Sequence, residues 1–168
     1  MKSEELRSIQ APIKEQYKKE PGKALITLKA SGRLGEGVTC KIETGKAIID
    51  AGLHPATGGD GFHICSGDLL LEALVACAGV TMNAVATAIG VDIKEGTVYA
   101  EGDLDFRGTL AVSKEAPVGF KDIRLNFKLI TDASEKQLAD LLKLTERYCV
   151  VYQTLRNSPE MKVTINNN

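Results

Sequence analysis

Apolar positions along this chain follow two rhythms. From Ser66 to Gly90 the sequence reads SGDLLLEALVACAGVTMNAVATAIG, free of proline and long enough for several helical turns. Ser66 is placed to cap that helix, Asp68 puts negative charge in its first turn, and Gly90 is a natural stop. Its strongly polar side chains are Glu72 and Asn83, 11 residues apart and so on nearly one face at about 100° per residue. The rest is apolar or small, so this helix must be covered almost all round.

The second rhythm has period two. Ala24 to Ala30 reads as a strand, then a Gly-rich turn, Gly32-Arg33-Leu34-Gly35-Glu36-Gly37. Val38, Cys40 and Ile42 alternate with polar residues, and a turn at Thr44-Gly45 leads into Ala47 to Ala51, predicting a hairpin with Cys40 facing inward. Residues 98–107 and 123–129 alternate in the same way on either side of a loop containing Pro117, which predicts an antiparallel pair. Ser134 and Gln137 form a capping-box pattern before a second core helix, whose inward face carries Leu138, Leu141, Leu142, Thr145 and Cys149. Met161, Val163 and Ile165 suggest a short last strand. The order β-β-β, helix, β-β, helix, β is an α+β pattern. Residues 3–19 read as a charged, mostly solvated helix ended by Pro21-Gly22. This divides the chain into an N-terminal extension, 1–22, and a single domain, 23–168.

A length of 168 residues, 43% hydrophobic and 26% charged, fits one soluble domain with a sizeable core. The net charge of −1 gives no reason to expect a nucleic-acid partner. The 69–91 run is long enough to raise the question of a membrane span. It has no closely flanking Lys or Arg and no Trp or Tyr belt, and Glu72 lies within it, so a buried helix and no membrane partner are expected. Four cysteines, Cys40, Cys65, Cys77 and Cys149, form no C-x-x-C motif, and MKSEELRSIQ lacks the apolar run of a signal peptide. Reduced thiols in the cytoplasm are the expectation.

Candidate chemistry begins with Cys77, midway along the long helix. Its face carries Leu70, Ala73, Thr81, Ala84 and Ala88, which would suit either ordinary close packing or access to the thiol. The loop 52–65 holds His54 and His63 with Asp60 and Cys65, but without a standard ligand spacing, so no metal is expected. No segment matches G-x-G-x-x-G or the P-loop, and no cofactor is expected.

Three features together resemble the OsmC/Ohr family of osmotically inducible and organic hydroperoxide resistance proteins. They are Gly32-Arg33, the Gly-rich loop feeding a helix in GGDGFHICSGDLLLEALVAC, and Glu146-Arg147-Tyr148-Cys149 on a late helix. The resemblance implies an OsmC-like α+β fold with antiparallel sheets, a long buried central helix and an intertwined homodimer. It implies a peroxidatic Cys77, a resolving Cys149 and a thiolate-activating Arg33, acting on small organic hydroperoxides and recycled by a dithiol such as a dihydrolipoyl group. Two positions depart from the family pattern. Gly67 stands where those enzymes carry a catalytic Glu, leaving Asp68 and Glu72 as rival acids, and Val150 follows Cys149 where proline is usual.

The chemistry explains the requirement for such residues. A thiolate must attack the peroxide, the leaving alkoxide must be stabilised, and the sulfenic acid must be trapped by a second thiol. Cys77 is well past the first helical turn and burial would raise its pKa, so a permanent cation such as Arg33 is needed. The competing class is a non-enzymatic thiol sensor or small-molecule binding protein on the same fold. Cys65, 12 residues before Cys77, is the rival disulfide partner.

Overall fold

The period-two segments build the sheet. A computed structural model describes residues 3–34, 40–42, 51–59, 61–62 and 64–165. Its helices are α1 (Ser3–Lys19), α2 (Ser66–Ile89), α3 (Phe106–Thr109), α4 (Glu135–Tyr148) and α5 (Val150–Arg156). Its strands are β1 (Leu25–Leu34), β2 (Cys40–Ile42), β3 (Ala51–Gly52), β4 (Ile64–Cys65), β5 (Glu95–Asp105) and β6 (Phe120–Ile130). Strands β2-β1-β5-β6, in that order, form an antiparallel sheet, while β3 and β4 form a small parallel pair.

Register sorts the sheet's side chains. Ile26 lies opposite Leu104, and Val98 opposite Phe127. Val98, Ala100 and Leu104 are buried with Leu71, Leu74, Val75 and Ala78 of α2 in one core. The alternate rows point the other way, where Arg124 pairs with Asp103 at 2.7 Å and with Asp122 at 2.7 Å, and Lys128 lies over the Tyr99 ring. One face of the sheet is thus dry and the other carries charge. Gly102 sits where a Cβ would lie 2.4 Å from the Phe120 ring, so its missing side chain leaves room for that ring against the sheet.

Helix α2 is continuous over 24 residues, with Cys65 rather than Ser66 as its N-cap. Gly90 ends it in the left-handed region (φ 73°), as its lack of a side chain permits. The Ser134–Gln137 capping box forms in full at the start of α4.

Several expectations are corrected. Arg33 lies within β1, opposite Lys41 and Thr97, because β1 runs on to Leu34 instead of turning at Gly32. The strand expected to reach residue 107 stops at Asp105, whose carboxylate accepts from the Arg107 N–H and starts α3. Residues 161–165 form no strand: Met161, Val163 and Ile165 are exposed and join neither sheet. Alternation marks a segment fit to be a strand, but only pairing makes one. Residues 35–37, the 44–45 turn, residues 47–50, Asp60 and His63 lie outside the described residues, as does the Cys40 side chain of β2.

Helix α1 presents charge to solvent over much of its length, yet Tyr17 is buried against the core. The Tyr17 hydroxyl donates to the Ala56 carbonyl at 2.7 Å, and Gln10 Nε2 donates to the Thr57 carbonyl at 3.2 Å. Tyr17→Ala is expected to cost about 3 kcal/mol in urea unfolding, as for a large buried aromatic, and Tyr17→Phe about 1 kcal/mol for the lost hydrogen bond. Equal midpoints for all three proteins would show that α1 is not docked in solution.

Candidate active site

Two groups of reactive side chains are held by α2, on different sides of it. The first contains the thiols. Leu71, Leu74, Val75, Ala78, Met82, Val85 and Ala86 are buried on one face. Leu70, Ala73, Val80 and Ala84 remain exposed on another, and Cys77, half-buried, lies among them. The helix therefore has one covered face and one apolar stripe that this single chain leaves open.

Cys149 approaches Cys77 from the junction of α4 and α5. It caps both helices, in extended conformation at φ −71° and ψ 107°, and is fully buried. The junction is tied down by three bonds: the Cys149 N–H to the Thr145 carbonyl, the Gln153 N–H to the Cys149 carbonyl, and Gln153 Nε2 to the Glu146 carbonyl at 2.7 Å. Cys77 packs against the core cluster that holds Cys149, close enough for the two thiols to interact. The expectation that Cys149 extends the second core helix is thereby refined: it marks the break, where side chain and backbone can both turn toward α2.

The second group holds the acids. Asp68 and Glu72 are half-buried and one turn apart. Burial raises both carboxyl pKa values; His54 partly offsets this at Asp68, and Asp68 adds to it at Glu72. Burial lowers the pKa of His54, against the pull of Asp68. His54 stacks on Phe106 with ring centroids 5.0 Å apart, and its Nδ1 accepts the Ala56 N–H at 3.0 Å. This leaves the other ring nitrogen to carry the proton. In helical projection Asp68 is about 180° and Glu72 about 140° round from Cys77. One chain therefore holds the acids with His54 and the thiols with each other.

Arg33 is separate from both groups. It lies opposite Thr97, in a row that alternates away from the buried Val98 and Ala100, so its exposed side chain is on the sheet face turned away from α2. Cys65 is also remote: as the N-cap of α2 it is about 18 Å along the helix axis from Cys77, far beyond disulfide reach. Among the described residues, no three His, Cys, Asp or Glu side chains converge as metal ligands. A cleft of about 510 Å³ between β6 and α4–α5 is lined by Leu74, Phe120, Leu125, Leu142, Tyr152 and other residues, with no cysteine among them.

Sequence reasoning missed the Gln153 clamp. A run of Val150 and Val151 straight after the cysteine was the available sign that the helix would not continue smoothly. Burial pushes the Cys149 thiol from an ordinary 9.0 up to about 11. Folding therefore favours the protonated thiol, and the stability it contributes is intact below pH 9 and lost as pH rises toward 11. Unfolding free energy should fall by about 2 to 3 kcal/mol across that window, and less in Cys149→Ala. Identical slopes in the two proteins would overturn the assignment.

The OsmC-like protein family model matches residues 58–164. Among solved structures, an OsmC-like hydroperoxide resistance protein from Jannaschia sp. CCS1 is 16% identical, with a TM-score of 0.61 over 86% of this chain and 95% of that one. An OsmC-like protein from Mycoplasma pneumoniae is 19% identical, with a TM-score of 0.55 over 80% of this chain and 86% of that one. At these identities the likeness establishes the fold. Comparison with curated proteins gave no match. The family match runs from the loop ahead of α2 through both Cys77 and Cys149, and the chain belongs to the OsmC-like protein family.

Proposed function

We propose that this protein is a thiol-dependent peroxidase that reduces organic hydroperoxides to alcohols through a Cys77 sulfenic acid and a Cys77–Cys149 disulfide. The observation that carries this reading is the contact between the two thiols, one half-buried on an apolar stripe and the other fully buried behind it. That one structural relative is a hydroperoxide resistance protein agrees with it. Cys77 is the sulfur a substrate can reach, and Leu70, Ala73, Val80 and Ala84 around it suit a lipophilic hydroperoxide better than hydrogen peroxide. A dithiol such as a dihydrolipoyl group returns the disulfide to the reduced pair.

The same stripe supports a homodimer, since a second copy would cover the apolar residues left open on α2. Arg33 faces away from α2 in its own chain, so in this reading a second copy supplies it to Cys77. Asp68 and Glu72, on the far side of α2 from their own Cys77, act in the same way if they act at all.

One equivalent of cumene hydroperoxide should remove the free thiols of Cys77 and Cys149 and leave Cys40 and Cys65 reduced, as read by peptide mapping. Cys77→Ser should abolish peroxide consumption, while Cys149→Ser should react once and stop as sulfenic or sulfinic acid. Consumption undiminished in Cys77→Ser would end this reading, and a single oxidation with no turnover by any dithiol would favour a sensor.

The composite site makes a separate prediction. Arg33→Ala and Cys77→Ser should each be inactive alone. Mixed and allowed to exchange subunits, they should recover about a quarter of wild-type activity, because half the dimers then hold one complete site of two. No recovery despite verified exchange would place Arg33 in the same chain as the thiol it serves, or outside the reaction.

A further inference from the structure

The segment after α5 keeps a pattern that nothing in its own chain uses. Met161, Val163 and Ile165 alternate with Lys162 and Thr164, and the three apolar residues are 82%, 85% and 93% exposed. We infer that this segment is an interaction strand: residues 161–165 of a second copy pair along the free edge of β6 and lay their apolar row in the groove beside α4. The inference rests on the homodimer of the proposed function and deepens it, naming the segment exchanged and the surface that receives it.

The receiving surface is built into each copy. Strand β6 is 11 residues long and, among the described residues, pairs with β5 alone, so its other edge presents unpaired backbone. Beside that edge two apolar hollows, of about 510 and 430 Å³, share Leu125, Phe127 and Leu142, and so form one groove between β6 and α4. Leu142, on the α4 wall, is 45% exposed. A helix laid in this groove would cover its apolar walls and leave the β6 backbone unpaired. An extended strand satisfies both.

Segment and groove match in period and in side. Leu125 lies opposite buried Ala100, and Phe127 opposite buried Val98, so this row of β6 faces the core side of the sheet. A strand added to β6 continues the pleat, and its alternate residues enter the same row about 7 Å apart. Met161, Val163 and Ile165 supply that row, while Lys162 and Thr164 turn to the charged outer face that carries Arg124 and Lys128. The occupant is a second copy rather than the chain's own end, whose apolar residues stay in solvent. Each copy offers a strand without an edge and an edge without a strand. Two copies related by a two-fold axis satisfy both at once, and the exchange closes on itself.

The test compares full-length wild type, Val163→Lys and Thr164→Lys by sedimentation velocity over a range of concentrations. Both positions are exposed in the single chain, so neither substitution disturbs the protomer's own core. Val163→Lys puts a charge on the inward row and is felt at both docking sites. It is expected to weaken dimerisation by at least about 10²-fold, and Thr164→Lys, on the outward row, by a few-fold at most. Dimerisation untouched by Val163→Lys, or weakened equally by both, would overturn the inference and leave the homodimer standing. A wild type that stays monomeric at micromolar concentration would end the homodimer reading itself. A photoreactive benzophenone amino acid at position 163 gives a second readout, in an exchanged mixture of light and heavy isotope-labelled protein. Crosslinks should map to β6 or α4, with about half of them joining a light chain to a heavy one. Crosslinks confined to chains of one label, or reaching neither element, would also overturn the inference.

Discussion

The burial of α2 against the inner face of the sheet fixes where every candidate group can stand. Val98, Ala100 and Leu104 meet Leu71, Leu74, Val75 and Ala78 there in one hydrophobic core. Each buried side chain is worth about 1.5 to 3 kcal/mol, so neither register slip nor helix rotation is tolerated. Once that face is committed, the rest follows from geometry. Strand rows that alternate with the buried ones, Arg33 among them, must face the other way. Helix positions opposite the buried face, Ala73, Val80 and Ala84 among them, face out, and Cys77 stands on the border between the two.

This arrangement separates roles that the proposed peroxidase chemistry would have to bring together. Cation, carboxylates and thiol occupy three directions within one chain: the two thiols lie together, and the acids lie with His54. In the proposed homodimer those parts would meet across an interface, and the open stripe of Leu70, Ala73, Val80 and Ala84 would give it an apolar surface to bury. The N-terminal helix adds nothing to this geometry directly. Its contribution is to hold the Pro55–Thr57 turn through Tyr17 and Gln10, and that turn carries His54 against Phe106.

How much of this the chain discloses on reading depends on the kind of signal. Period-two alternation located β5 and β6, and composition located α2, because both patterns reflect burial directly. The capping box named the start of α4 for a local reason that survives in the fold. Met161, Val163 and Ile165 carry the same alternation without a strand, since pairing depends on an edge elsewhere that no local pattern reports. The direction of Arg33 was hidden because one residue of register decides it, and the 32–34 segment read as a turn. The Cys77–Cys149 contact was legible only through family resemblance. Its geometric cause, the break after Tyr148 held by Gln153, is long-range in effect and leaves little mark on composition.

In the proposed reaction the unequal burial of the two thiols favours one order. Cys149 has no exposed surface, so no hydroperoxide reaches it while Cys77 is in place, and burial disfavours its thiolate. Cys77 borders the open stripe and is half-buried. Reversing the roles would require the inaccessible sulfur to ionise first in the drier position, against both effects. The proposed order would also protect the intermediate: a sulfenic acid formed on Cys77 would already be beside the thiol that traps it, so over-oxidation would compete with a step that needs no diffusion. A buried partner held at a helix junction is thus better suited to resolve than to attack.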